Sequence, residues 1–421
     1  MNARGAATAF WLVMALVLPT RAVPAWAQAP AQTITLGEAV ARALQHNLQV
    51  RVAVFEVSVV RHVLAAARAG KSPQATVTTS YGRSDSTDQY LARVGVEFPL
   101  YTGGRLEAQI ALAEASLRGA EATLERVRQS VILSTKQAYY QLLLARAQQG
   151  TAQRVLAQAQ GNLGVALARL QAGAVPRFDV LQAEVSVAAA EQQVVRTQTD
   201  VALARHALAA QVNLPLDAPL EPQEVLATAA VRVELPVLLE QGVRSRPELA
   251  ELRARIDAAV WAREVAASGG RPTVTLAVTP GVAGSGPGSL GGTWSATLSA
   301  TLSAFDGGVT AERVREAEAR LAVLRASEAQ QRQAIELEVR QAWLSLRASL
   351  VEVKTAARGV EQAREALRVA NVRYQAGASV NLEVLVQQSA LSQAETSHTQ
   401  TLYNHNVALA QLERAVGGPV Q

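Results

Sequence analysis

The chain has 421 residues, of which 49% are hydrophobic and only 4% aromatic, and its formal charge is +5. Because cysteine is absent, we expect no disulfide framework, thiolate metal site, cysteine nucleophile or lipid anchor on an N-terminal cysteine. The arginines are dispersed among Glu and Gln, which is typical of solvated helix faces and gives no support for a nucleic-acid partner. The apolar residues are mostly Ala, Val and Leu, which predicts long, closely packed helices.

The first 27 residues have the layout of a secretory signal peptide. Arg4 precedes an apolar run at 9–18, and the small residues Ala25 and Ala27 predict cleavage after Ala27. The run is too short to span a bilayer, which takes about 20 apolar residues, and no later stretch is long enough. A buried N-terminal helix is the alternative. Cleavage would remove Arg4 and Arg21 and no acid, so the mature formal charge would fall from +5 to +3.

Sequence motifs recur at a constant spacing of 204 residues. Tyr101–Gly104 aligns with Phe305–Gly308, and Gln171–Ala174 is identical to Gln375–Ala378. Such spacing predicts two structural repeats. The predicted units are a signal peptide at 1–27, a first repeat at 28–214, a proline-rich linker at 215–236 and a second repeat at 237–421.

Helices are predicted for most of each repeat. Residues 105–172 lack proline and carry apolar residues at alternating spacings of four and three, which is a heptad seam. The second repeat keeps this seam, except where Glu328 and Gln331 interrupt it. At 1.5 Å per residue such a helix would be about 100 Å long. We expect each long helix to lie beside a stacked pair of half-length helices, drawn from 36–69, 177–213, 237–268 and 380–416.

Two β-hairpins, at 74–100 and 273–304, are predicted between the helices. Apolar residues such as Val274, Leu276, Leu298 and Trp294 alternate with small polar residues, a pattern typical of membrane-barrel strands. A pair of soluble hairpins that cap a coiled coil is the alternative. Four strands cannot close a transmembrane barrel, because about eight is the minimum. If the strands enter a membrane, two to four chains must therefore share one barrel.

These motifs together resemble the TolC-like outer membrane efflux family across the whole mature chain. The resemblance implies an α+β membrane protein, with a long α-helical barrel and a transmembrane β-barrel to which each chain of a homotrimer gives four strands. It implies a passive duct through the outer membrane of a Gram-negative bacterium, without enzyme activity or cofactor. The implied partners are outer membrane lipids, a periplasmic adaptor (membrane fusion) protein and an inner-membrane pump of the RND, ABC or MFS type.

The resemblance also assigns roles to the two turns at 171–181 and 375–385, which we call the tips. They would dock the adaptor of an efflux or type I secretion system. The expected docking residues are Ala172, Gly173, Val175, Leu181, Ala376, Gly377, Val380 and Leu385.

Three further residues are candidates for a pore constriction. Asp179 and Glu383 are repeat equivalents in the first turn after each tip, and six such carboxylates in three chains would form a ring that favours cations. Alternatively, they only favour the positive end of a helix. Tyr374 matches a family tyrosine near the gate, or is a packing aromatic. Val386 and Ser379 stand where the family often has an acid and a base, so the charged gate is only partly present.

Other functions have weaker support. Glu395 and His398 have the spacing of half a di-metal site, but that site needs two such pairs and two more Glu, so no catalytic, metal or cofactor residue is predicted. A periplasmic adaptor usually has one helical hairpin and separate β domains, not a double repeat. A coiled-coil scaffold would have no use for the strands. The sequence does not distinguish among drugs, metal ions, organic solvents and proteins as the cargo.

Overall fold

The structure is a computed structural model that describes residues 32–84, 87–228, 234–286 and 288–420. The predicted signal peptide lies outside these residues. The described elements are, in chain order, β1 (Gln32–Ile34), α1 (Leu36–His46), α2 (Leu48–Ala69), β2 (Gln74–Ser84), β3 (Thr87–Tyr101), α3 (Arg105–Gln171), α4 (Arg177–Gln211), β4 (Leu220–Pro222), α5 (Leu235–Ser245), α6 (Pro247–Ala267), β5 (Thr273–Gly284), β6 (Gly291–Thr301), α7 (Val309–Gln375) and α8 (Asn381–Val416).

Two long helices, α3 and α7, define the architecture. Each has 67 residues, which corresponds to about 100 Å, and α3 ends within one residue of the predicted 105–172. Both begin after a pair of glycines in the left-handed region. Gly103 has φ +66°, and a Cβ there would lie 2.8 Å from Cβ of Arg271, so the turn into α3 needs glycine for two reasons.

The shorter helices lie along the long ones in two tiers. Near the sheet, α3 packs between α2 and α6, and α6 also packs on α7; in the distal tier, α3 packs between α4 and α8, and α8 packs on α7. Ion pairs cross these contacts, for example Arg118 to Asp257 from α3 to α6 at 3.0 Å and Arg154 to Glu395 from α3 to α8 at 2.9 Å. The result is a wall one helix thick, with α2 and α4 at one edge and α7 at the other.

The predictions of single helices at 36–69 and 237–268 are wrong, because each segment contains a break. Asn47 separates α1 from α2, and Arg246 separates α5 from α6; both residues are extended, with ψ 133° and 124°. Pro247 explains the second break, since proline disfavours a helical conformation in the preceding residue. At the first break the Asn47 side chain accepts a hydrogen bond from the Gln49 N–H and so caps α2.

The four long strands form one antiparallel sheet in the order β2-β3-β5-β6. Directly paired residues share a face, so the register fixes the character of both faces. Val96, Val278 and Ala296 lie across one face, and Glu97, Ala277 and Thr297 lie across the other. One face of the sheet is therefore apolar and the other polar. None of the helices among the described residues is both long and apolar enough to cross a lipid bilayer.

The linker also contains an element that was not predicted. Its residues Leu220–Pro222 form β4, which pairs in parallel with β1 at the start of the described chain. Arg205 holds β4 through a hydrogen bond from its Nε to the Leu220 carbonyl, and Tyr139 of α3 donates its hydroxyl hydrogen bond to the Ile34 carbonyl of β1. The linker is thus fixed to the middle of the helical wall.

A buried arginine joins the elements at the middle of the second half. The Arg246 side chain is 3% exposed and forms ion pairs with Glu248 at 3.0 Å and Glu338 at 2.8 Å. It also donates to the carbonyl of Arg414 at the end of α8. The break between α5 and α6 therefore places one cation where three helices meet.

We predict that Arg246→Ala lowers the free energy of unfolding by about 3 kcal/mol, because Glu248 and Glu338 lose their buried cation and keep only the longer ion pairs with Arg414, at 3.9 and 3.4 Å. The shift can be measured by far-UV circular dichroism during thermal unfolding of the detergent-solubilised protein. Arg253→Ala is the matched control, since Arg253 pairs with Glu328 at an exposed position and should contribute less than about 1 kcal/mol. Equal effects of the two variants would contradict a special role for the buried cation.

Candidate functional site: the two helix-turn-helix tips

Each tip is a tight turn stabilised by a helix C-cap. After α3, Gly173 has φ +69°, its N–H donates to the Leu170 carbonyl, and the Ala174 N–H donates to the Arg169 carbonyl. After α7, Gly377 has φ +73° and the same two bonds recur. This is the Schellman pattern, which requires a left-handed residue directly after the helix. The tips therefore have one shared backbone geometry that turns each long helix back on itself.

The predicted docking residues lie on the surface of the two tips with unequal exposure. Val380 is 67% exposed and Leu181 48% exposed, whereas Val175 and Leu385 are half-buried. Small residues complete the surface at Ala172, Gly173, Ala376 and Gly377, all of which are exposed.

Two exposed apolar side chains at the tips were missed at the sequence level. Phe178 is 67% exposed and Leu382 is 51% exposed. They are repeat equivalents, 204 residues apart, and each directly precedes one of the candidate carboxylates. Their apolar character at equivalent places was the signal that could have found them. Each tip thus presents a large apolar side chain to solvent.

The two candidate carboxylates have different surroundings. Glu383 accepts hydrogen bonds from Arg373 Nη1 at 2.8 Å and from the Ser379 hydroxyl. Among the described residues Asp179 has no ion pair or side-chain hydrogen bond, and its backbone N–H donates to the Pro176 carbonyl. Arg373 therefore offsets the charge of Glu383, whereas no cation in the described part of the chain forms an ion pair with Asp179.

Tyr374 lies between the two tips and is 8% exposed. Its ring packs with Val384 and Leu367, and the guanidinium carbon of Arg169 lies 4.1 Å from the ring centre. Arg169 also donates a hydrogen bond to the Tyr374 carbonyl at 3.2 Å, which connects the end of α3 to the end of α7. The Tyr374 hydroxyl is buried and has no hydrogen-bond partner among the described residues. Tyr374 and Arg169 thus form the contact that holds one tip against the other.

A further ion pair lies on α7 above the tip. Glu365 and Arg368 form a 2.7 Å ion pair, and hydrogen bonds from the arginine hold the pKa of the Glu365 carboxyl below its usual value. The same bonds raise the pKa of Arg368. Both groups stay charged, so this part of α7 contributes no net charge to the tip region.

The described residues contain no cluster of three or more His, Asp or Glu side chains that could hold a metal ion. Glu395, one half of the suspected di-metal pair, is engaged by Arg154 at 2.9 Å and Arg364 at 3.6 Å. His405 is buried and its Nδ1 lies 3.1 Å from the Ser349 hydroxyl. Glu395 and His405 are thus explained by contacts between helices.

If the tips surround a pore, we predict that Asp179→Asn lowers cation selectivity more than Glu383→Gln does. The reason is that Arg373 already neutralises Glu383, whereas the charge of Asp179 acts on passing ions without a paired cation. The measurement is the reversal potential of reconstituted protein in a planar bilayer under a salt gradient. Asp200→Asn on α4, well away from the tip, serves as the control; a larger effect from Glu383→Gln would contradict the prediction.

Comparison with known proteins matches this chain to the family described as outer membrane efflux protein, over residues 39–213 and 238–418. Outer membrane efflux protein BepC of Brucella suis biovar 1 (strain 1330) is 33% identical over 115 residues. That alignment spans 27% of this chain and 25% of BepC. The family match thus extends over both halves, and the similarity to BepC over about a quarter of each chain.

Solved structures are similar over nearly the whole chain. The outer-membrane channel OprN superposes with a TM-score of 0.79 at 24% identity, covering 91% of this chain and 90% of OprN. The outer membrane protein VceC from Vibrio cholerae superposes with a TM-score of 0.79 at 22% identity, covering 92% of this chain and 97% of VceC. For the Campylobacter jejuni channel CmeC the TM-score is 0.81 at 16% identity, covering 92% and 86%. At these identities the likeness is one of fold.

Proposed function

The chain belongs to the outer membrane efflux protein family, a family of channels located in the outer membrane, and we propose that it is the exit duct of a tripartite efflux or type I secretion system. In this proposal three chains form one twelve-stranded barrel and one helical tunnel. The duct is passive, and a partner pump supplies the energy. The observation that carries the proposal is that both the sheet and the helical wall end in unpaired edges on the same two sides.

The sheet supports a shared barrel. Its outer strands β2 and β6 pair on one side only within the described chain, so each leaves a row of free backbone groups. Apolar residues of one face, including Leu276 and Leu298, would otherwise meet water. In a membrane, free backbone groups must find partners, which only a closed barrel supplies. A copy that pairs its β2 with this β6, and another that pairs its β6 with this β2, would together satisfy both edges.

The helical wall has a matching pair of apolar edges. On α7, apolar residues that are more than half exposed recur at multiples of seven, at Val323, Leu337, Leu344 and Val351. On α2, a stripe of equal exposure has spacings of three and four, at Leu48, Val52, Phe55, Val59 and Val63. These are the two spacings of a coiled-coil seam. The edge of one chain therefore fits the opposite edge of the next.

We predict that Leu344→Glu weakens the trimer, because a carboxylate would be buried against the α2 or α4 edge of the neighbouring chain. Burying an unpaired charge costs several kcal/mol per site. The measurement is the oligomeric state in detergent by size-exclusion chromatography with light scattering. Ser345→Glu, at the next exposed position of α7, should leave the trimer intact. A trimer that tolerates Leu344→Glu would place the subunit contact elsewhere.

In the proposed assembly the tips face the periplasm and dock an adaptor, which in turn holds an inner-membrane pump of the RND, ABC or MFS type. The exposed pair Phe178 and Leu382, together with the eight predicted docking residues, supports a protein partner, because large apolar side chains at a turn otherwise cost solvation energy. No atom lies within 4 Å of the place that a Cβ would take at Gly173 or Gly377, so packing does not require glycine at either turn. Their small residues leave room for a close approach.

We predict that Phe178→Glu combined with Leu382→Glu abolishes efflux while the trimer still assembles, because the substitutions place charges where an apolar partner surface would dock. The measurement is accumulation of a fluorescent pump substrate such as ethidium in the native host, with trimer abundance checked in parallel. Val225→Glu, a change at an even more exposed apolar residue of the linker, is the control. Unchanged accumulation in the double variant would mean that the tips are only turns.

A further inference from the structure

A cleft of about 690 Å³ lies where the sheet meets the helices. Its floor is formed by Ala259, Ala262 and Ala266 of α6, which recur at helical spacing. Their short side chains leave open space above this middle helix. The flanking helices α3 and α7 form its walls, with longer side chains such as Arg105 and Arg313. The cleft is therefore part of the fold, because a helix with small side chains lies between two helices with longer ones.

The strands show which side of the wall the cleft faces. Thr273 and Thr301 are direct partners in the sheet, and both line the cleft. They belong to the polar face, whereas the next pair, Val274 and Ala300, belongs to the apolar face. Because the apolar face would meet lipid in the proposed barrel, the cleft opens toward the interior of the duct. A lipid headgroup would approach from the opposite side.

The lining is strongly basic. Four arginines contribute to it, against Glu316 as the acid among the residues that line the cleft. Arg320 is paired with Glu316, and Arg271 is held by Glu264 at 3.4 Å and by the Gly103 carbonyl at 3.1 Å. The other two, Arg105 and Arg313, are exposed and have no ion pair or hydrogen bond to any residue that the structure describes.

The free arginines do not stabilise the helices that carry them. Arg105 is the first residue of α3, where the N-terminal N–H groups carry a partial positive charge that disfavours a cation. Arg313 lies in the second turn of α7, near the N-terminus of the other long helix. Two cations and two helix N-termini therefore raise the potential in the same cleft, and the C-terminal end of α6, at Ala267, offsets part of this.

We propose that this cleft is a binding site for anionic cargo, namely solutes that carry two or more carboxylate, sulfonate or phosphate groups. Arg105 and Arg313 bind the anion from opposite walls, and each guanidinium offers a planar set of donors that suits such oxyanions. The inference rests on the proposed function for two statements: that the cleft opens toward the interior of the duct, and that the bound anion is cargo. Three chains would place three clefts around the duct, directly below the barrel.

The test is binding of the trisulfonated dye pyranine to the full-length, detergent-solubilised protein, followed by fluorescence anisotropy. We expect wild-type binding to weaken as salt is raised, because exposed charges are screened. Arg105→Gln with Arg313→Gln should weaken binding at least about tenfold, since two charge-assisted contacts are lost. Glu316→Gln should strengthen it, because the change frees Arg320; a gain of affinity cannot come from misfolding.

The matched control is Arg315→Gln, which removes an exposed arginine of the same helix that pairs with Glu312 and does not line the cleft. Pyranine binding that is equal in the double variant and in wild type, or unchanged by Glu316→Gln, overturns the proposal. Conductance of the same preparations in planar bilayers separates the two proposals. A wild-type protein that does not conduct would count against the duct. A wild-type protein that conducts but binds no dye would count against the anion site alone.

Discussion

The structure depends on the apolar seams that run along α3 and α7. A wall one helix thick has no centre in which to bury side chains, so each helix must be covered on two sides by neighbours. Within the chain, α3 obtains both neighbours in each tier, but α7 obtains them on one side only. Its other seam, at Leu337 and Leu344, remains exposed. In the proposed assembly, another chain covers this seam and continues the wall.

The same requirement explains two buried polar side chains, Asn47 and Arg246, that lie where helices stop. The first two helices of each repeat are separated by Asn47 and by Arg246. Each of these side chains donates a hydrogen bond to a carbonyl at the end of the last helix of the same repeat, that of Gln211 or of Arg414. An unpaired carbonyl at a helix end is costly when buried. A polar residue at each break donates a hydrogen bond to such a carbonyl, and Arg246 in the second repeat also forms an ion pair with Glu338.

Most of this arrangement could be predicted from periodicity, because heptads in 105–172 and alternation around Leu298 are local patterns repeated many times. The helix breaks were missed because apolar spacing continues across Asn47 and Arg246, and one extended residue changes no pattern. Strand β4 was missed because three residues are too short for a period. The cleft arginines could not be found from spacing at all, since Arg105 and Arg313 lie on different helices, 208 residues apart.

The electrostatics of the two ends differ for a structural reason. At the tips, each helix ends and another begins within a few residues, so cations and carboxylates alternate and Arg373 cancels Glu383. At the sheet, two long helices present only their N-termini toward the same cleft, and the chain places Arg105 there without a counter-charge. In the proposed duct, a solute would pass the unpaired carboxylate of Asp179 at the tips before it reached the arginines of the cleft. Such a fixed potential raises the local concentration of anions at the cleft but sets no direction of transport, so in the proposed system the pump must supply the energy.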